Sequence, residues 1–169
     1  MQIEEAIITA IEYEVRIREH YVESQAAAKD PVARRVFGLM AGEENDHVKY
    51  LEMKLKEWKK GNKLSAEDLE TALPPLDWIE KEVGKLASGD VKKTATAELG
   101  ALETAAAIES ETSQFYAGLV EKLPDEAKSF FSRFVEIESG HLALVNAELD
   151  AVKGNGFWFD IPEFDVEAG

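Results

Sequence analysis

Glu44-Asn45-Asp46-His47 and Glu138-Ser139-Gly140-His141 repeat one pattern, Glu-x-x-His, 94 residues apart in a chain of 169. Residues three apart lie on one face of an α-helix, so each pair can reach a single metal region together. Mostly apolar residues continue that face in both directions at alternating steps of four and three. The first copy gives Ala33, Phe37, Met40, Glu44, His47 and Leu51; the second gives Ala127, Phe131, Phe134, Glu138, His141 and Val145. The stretch before each copy reads the same way. It gives Ile3, Ile7, Ala10, Glu14, Ile17 and Tyr21, then Leu102, Ala105, Glu109, Thr112, Tyr116 and Leu119. These are core-facing helical seams with a carboxylate near the middle of each. Two Glu-x-x-His pairs and two single glutamates make six ligands, a complete set for two metal ions inside a four-helix bundle.

The expected fold is therefore all-α: one domain, residues 1–169, built as an antiparallel four-helix bundle of two helical hairpins. Helices are predicted over about 3–28, 31–60, 91–122 and 125–153. Asp30-Pro31 supplies an N-cap followed by proline at the first helical position, and Gly61 and Gly154 follow the ends of the second and fourth helices. Short turns make helices one and two, and three and four, antiparallel neighbours. Residues 61–90 form the crossover between hairpins. Pro74-Pro75 and Ser88-Gly89-Asp90 prevent a single helix there, while Ser65–Leu73 and Asp77–Leu86 are each compatible with a short one. A helix of about 27 residues is about 40 Å long, and a connector of this length can run the full height of the bundle. The hairpins form an internal repeat. Ala33, Phe37, Glu44 and His47 recur at an offset of 94, and Glu14 and Tyr21 recur at 95 as Glu109 and Tyr116. The aromatic tail, 154–169, is expected to fold back over the bundle; a subunit interface is the alternative.

Composition narrows the function. Lys and Arg number 19 against 34 Asp and Glu, for a net charge of −15. That excludes a nucleic-acid binder, which needs a basic face, and docking on anionic membranes. Most of the charge belongs on solvated helix faces. The chain has no cysteine, which removes disulfides, thiolate nucleophiles, iron–sulfur clusters and Cys-ligated zinc. The acidic start, Met1-Gln2-Ile3-Glu4-Glu5, has neither the basic nor the apolar region of a signal peptide, and no apolar run approaches membrane-spanning length. A cytoplasmic location is the expectation.

The candidate ligands are Glu14, Glu44, His47, Glu109, Glu138 and His141. Unpaired ionised carboxylates in a core cost several kcal/mol each even after relaxation. Two divalent cations balance four of them, and the imidazoles add neutral donors. Such oxygen-rich coordination with one histidine per metal suits iron or manganese, and zinc also fits. Tyr21 and Tyr116 lie two turns after a ligand on the same face. They are core packing with a bonded hydroxyl, donors to a ligand, or redox-active tyrosines. Thr112 faces the site as a candidate donor. His20 lies off the seam. Glu12, Glu43, Glu111 and Glu136 point elsewhere on the wheel and are expected in solvent. Glu98, about 16 Å along the axis from Glu109, is expected in solvent at the bundle end.

On Glu14 with Tyr21, Glu44-x-x-His47, Glu109 with Tyr116, and Glu138-x-x-His141, the chain resembles the rubrerythrin branch of the ferritin-like superfamily over residues 1 to 153. The resemblance implies a ferritin-like bundle with a long crossover around a non-haem di-iron centre. Glu14 and Glu109 would be single carboxylates, Glu44 and Glu138 bridging or chelating ones, and His47 and His141 the nitrogen ligands. Two departures stand out. Rubrerythrins proper carry a Cys-ligated rubredoxin-like domain that delivers electrons, so here an external donor is implied. They also carry a further glutamate one turn after the third-helix ligand, where this chain has Thr112. That places the site nearer the six-ligand pattern of ferritins and bacterioferritins.

The resulting expectation is a dimeric di-iron or di-manganese oxidoreductase, of peroxidase or ferroxidase type. It would react its ferrous centre with peroxide or dioxygen in oxidative-stress defence or iron handling. The alternatives are a ferroxidase serving iron storage or delivery, and a bundle whose metal only staples the fold or which binds a partner.

Overall fold

A computed structural model describes residues 2–61, 63–64, 69–74, 78, 96–155 and 158. Four long helices account for most of them: α1 Ile3–Ala27, α2 Pro31–Gly61, α3 Thr96–Lys122 and α4 Asp125–Asn155. At 1.5 Å per residue these are about 37–46 Å long. Each start has a local cause. Glu5 reaches back to accept from the Gln2 backbone N–H. Asp30 Oδ1 caps α2 by accepting from Val32 N at 2.7 Å and Ala33 N at 3.3 Å. Asp125 and Glu126 place negative charge at the positive end of α4.

α1 packs along α2 and α3 along α4 as the two hairpins, and α1 also lies against α3. Every seam residue is buried except Ile3, which is half-buried at the open end. The interior divides into two apolar clusters. One gathers Ile17, Tyr21, Phe37, Met40, Leu102, Ala105 and Val145. The other gathers Ile7, Ala10, Leu51, Tyr116, Leu119, Phe131 and Phe134. The six acidic and imidazole side chains lie between them in sequence along every seam, so apolar packing closes the centre from both ends.

Only parts of the crossover fall among the described residues. Leu69 to Pro74 is irregular chain, not the end of a helix over 65–73. Thr71 Oγ1 and Ala72 N instead bond to Glu43, which ties this stretch to α2. Leu69 and Leu73 turn inward and are buried. The proposed helix over 77–86 lies outside the described residues apart from Trp78, and 91–95 also lie outside them. In the tail, Trp158 is buried and meets Phe37 edge-on at 5.3 Å, so the chain folds back there; its neighbours lie outside the described residues. Among the described residues no helix is long and apolar enough to cross a membrane.

Candidate metal centre

Glu44, His47, Glu138 and His141 each present a ligand atom within 4.8 Å of the others. The pairs come from α2 and α4, whose Glu-x-x-His side chains meet between the two hairpins. The two imidazoles stack with centroids 5.2 Å apart and planes 6° from parallel. Glu44 spans them: Oε2 is 3.2 Å from His47 Nδ1 and Oε1 is 2.7 Å from His141 Nδ1. Glu138 Oε1 sits 3.4 Å from His47 Nδ1 and 3.9 Å from His141 Nδ1.

α1 and α3 close the other side. Glu14 Oε2 lies 3.1 Å from His47 Nδ1. Glu109 lies close enough to Glu44, Glu14 and His141 to feel their charges. Two tyrosines hold these single glutamates crosswise. Tyr21 of α1 donates to Glu109 of α3 at 2.5 Å, and Tyr116 of α3 donates to Glu14 of α1. All six acidic and imidazole residues are at most 1% exposed.

The polar atoms are not content with one another. Among the described residues, both oxygens of Glu44 and of Glu138, Glu109 Oε2, His47 Nε2 and both nitrogens of His141 have no aligned hydrogen-bond partner. His141 Nδ1 and Glu44 Oε1 are close, but their approach lacks hydrogen-bond geometry. Buried polar groups are normally paired, because each orphan costs about 1–3 kcal/mol. So many orphaned carboxylate oxygens in one place, with a ligand atom of each histidine among them, are what a set of metal donors requires. Four carboxylates and two imidazoles match two divalent cations in charge and in donor type.

Electrostatics carries the same message. Burial, then the charge of Glu44, raises the Glu14 carboxyl to about 7, against the pull of His47. Burial, then Glu44, raises Glu109 to about 8. Burial, then Glu14 and Glu44, pushes Glu138 well up. Glu44 goes the other way: burial opposes its charge, but His141 and His47 outweigh burial and hold it well below the carboxylate range. Burial disfavours the charged imidazoles too. Glu14 and Glu44 nevertheless lift His47 well up, and Glu44 and Glu138 do so for His141. Burial, with Glu109 for one and Glu14 for the other, raises the phenols of Tyr21 and Tyr116 well above the ordinary range. The cluster takes up positive charge in whatever form is offered.

Thr112 is buried at this level, but its hydroxyl donates to the Ile108 carbonyl of its own helix at 3.0 Å. His20 is half-buried, with Nε2 2.9 Å from the Ala101 carbonyl oxygen. Glu12 is exposed; Glu111 and Glu136 are exposed and pair with Arg16 and Arg133. Two glutamates expected in solvent are not there. Glu43 is only 11% exposed and reaches within 3.8 Å of His141 Nε2. Glu98 is 5% exposed and accepts from Lys29 N and Asp30 N at 2.7 and 2.9 Å, tying the α1–α2 turn to α3. Both break the repeat: Glu43 stands where the second hairpin has Ile137, and Glu98 where the first has Ile3. An acid opposite an apolar repeat partner was the available signal.

No curated protein and no solved structure matches the chain. A family model described as Rubrerythrin matches residues 5–149, which takes in all six residues of the centre. The match covers most of the chain, and with the buried Glu and His cluster between its helices it is decisive: the chain belongs to the rubrerythrin family, a ferritin-like family of di-iron proteins.

Proposed function

We propose that this protein is a redox protein whose Glu14, Glu44, His47, Glu109, Glu138 and His141 hold two iron ions and which reduces peroxide or dioxygen. The observation that carries this reading is the convergence of orphaned buried donor atoms on one centre. When bound, ferrous ions would supply the reducing electrons, one from each. The side chains do the rest. Glu44 has one oxygen toward each imidazole and Glu138 sits near both, so these two carboxylates would help to hold both ions. Glu14 and Glu109 serve as single carboxylates, each steadied by a phenol from the opposite hairpin. The two apolar clusters keep bulk water from the reacting region. Manganese or zinc would suit the same donors. An external electron donor and a homodimer complete the proposal.

Thr112 favours a second reading. It offers a hydroxyl already bonded to Ile108, not a further carboxylate, and leaves a six-donor set. That supports ferroxidase chemistry in the service of iron storage or delivery. One experiment separates the readings. Apo protein is loaded anaerobically with Fe²⁺ and titrated with H₂O₂ and then O₂, with and without an electron donor. Two irons per chain and donor-dependent peroxide turnover support the first. Rapid iron oxidation without turnover, followed by release or mineral growth, supports the second. Binding of fewer than two metals per chain sinks both.

A further inference from the structure

The two halves of the centre are built alike on the inside and differently on the outside. Each histidine turns Nδ1 toward the carboxylates. Outward, His141 Nε2 faces Glu43 Oε2 at 3.8 Å, whereas buried His47 Nε2 has no partner among the described residues. The repeat explains the difference. The position matching Glu43 in the second hairpin is Ile137, which is buried in the apolar cluster around Phe134. Phe134 itself lies edge-on to His47 at 5.6 Å.

Glu43 is also held firmly. Thr71 Oγ1 donates to its Oε2 at 2.5 Å and Ala72 N to its Oε1 at 3.0 Å, both from the crossover. The same stretch is pinned to α4 by Arg133 Nε, which donates to the Leu69 carbonyl at 3.2 Å. Glu43 thus connects the crossover to the back of one imidazole and to nothing comparable on the other. At 3.8 Å the pair stands just outside hydrogen-bond range, and an approach of a few tenths of an ångström would close it. A carboxylate behind an imidazole fixes its tautomer, sets its orientation and increases its basicity as a ligand, and losing such a partner typically costs about 10–100-fold in metal affinity.

We infer that Glu43, clamped by Thr71 and Ala72, is a positioning residue for His141 that makes the two metal sites unequal, the His141 site being the tighter and the first to fill. The inference rests on the two-metal reading above. It adds that the crossover, and not the bundle alone, sets which site fills first.

The test is calorimetric titration of the apo chain with Mn²⁺ or Co²⁺. It is run on wild type, Glu43→Ala, Glu43→Gln, Thr71→Val and the Glu43→Ala/His141→Ala pair, with melting curves for each. Wild type should show two unequal sites. Glu43→Ala should weaken the tighter site about 10–100-fold and leave the weaker within about threefold. Glu43→Gln, which keeps an acceptor oxygen, should recover part of the loss, and Thr71→Val should lose less than Glu43→Ala. Glu43→Ala should cost nothing further once His141 is alanine. In zinc-loaded wild type with ¹⁵N-histidine, a slowly exchanging Nε2–H should appear for His141 and vanish in Glu43→Ala. Two equal sites in wild type, or equal weakening of both sites in Glu43→Ala, overturns the inference while leaving the two-metal reading intact. Failure of wild type to bind two ions overturns that reading instead. If Glu43→Ala does not fold, Thr71→Val and the Nε2–H signal decide the matter.

Discussion

Loading the centre with metal should expel more than one proton per chain near pH 7. The cluster carries four buried carboxylates and two imidazoles, and burial drives it toward neutrality. Glu14, raised to about 7, is about half protonated there, and Glu109, raised to about 8, about nine-tenths. Glu138, His47 and His141 are all raised well above their usual range and add to that uptake, while Glu44 is held below its range and does not. Glu14 and Glu109 alone thus hold more than one proton near pH 7, which incoming cations must displace. By linkage, the product of the two association constants should rise more than about tenfold per pH unit in this range. The assay is calorimetric titration of the apo chain with Mn²⁺ in two buffers of different ionisation enthalpy, which counts protons directly. Replacing Glu14 and Glu109 together by glutamine should lower the count by about one and a half. Release of one proton or fewer would mean that the carboxylates stand ionised without metal, and the burial argument would fall.

Three other outcomes are expected. In chelator, the apo chain should melt at progressively lower temperature as pH rises from about 5 to 8. Raised Glu14 and Glu109 cost stability once deprotonation is forced, and raised His47 and His141 contribute stability that is lost over the same rise; a melting point that climbs with pH contradicts this. Tyr21→Phe and Tyr116→Phe should each destabilise the protein by about 1–3 kcal/mol in urea unfolding, since each leaves a buried carboxylate short of its donor. Loss of the Glu98 carboxylate in Glu98→Ala should cost about 2–4 kcal/mol by orphaning two backbone N–H groups, and Glu98→Gln less than half as much. Equal losses for the two Glu98 variants would show that acceptance by the side-chain oxygen is not what matters.

The helical seams were readable because burial on a helix imposes a period, and Glu14, Glu44, His47, Glu109, Glu138 and His141 interrupt an otherwise largely apolar row at one height. The repeat then paired them. The crossed tyrosine bonds were legible only as a short set of options, since a wheel shows that Tyr21 faces inward but not which carboxylate its hydroxyl meets. Glu43 and Glu98 were misjudged because Glu43 lies beside its seam and Glu98 at the far end of one, where exposure depends on what packs over that place. At Glu43 it is the crossover, whose irregular path from Leu69 to Pro74 has no period to read. At Glu98 it is the turn after α1, whose free N–H groups draw the carboxylate inward.

The crossed phenol bonds have a meaning for how such a chain could arise. Tyr21 serves the glutamate of the other hairpin, and Tyr116 returns the service. A single hairpin would own a phenol with no carboxylate to meet and a carboxylate with no phenol to steady it. Two identical hairpins associating about a twofold axis would satisfy both at once. An ancestral half-length chain of this pattern is therefore competent only as a pair, and joining two copies in tandem adds a tether without disturbing any bond at the centre. Once tethered, the halves are free to diverge wherever the axis no longer enforces identity. Glu43 against Ile137 and Glu98 against Ile3 are places where the two halves differ.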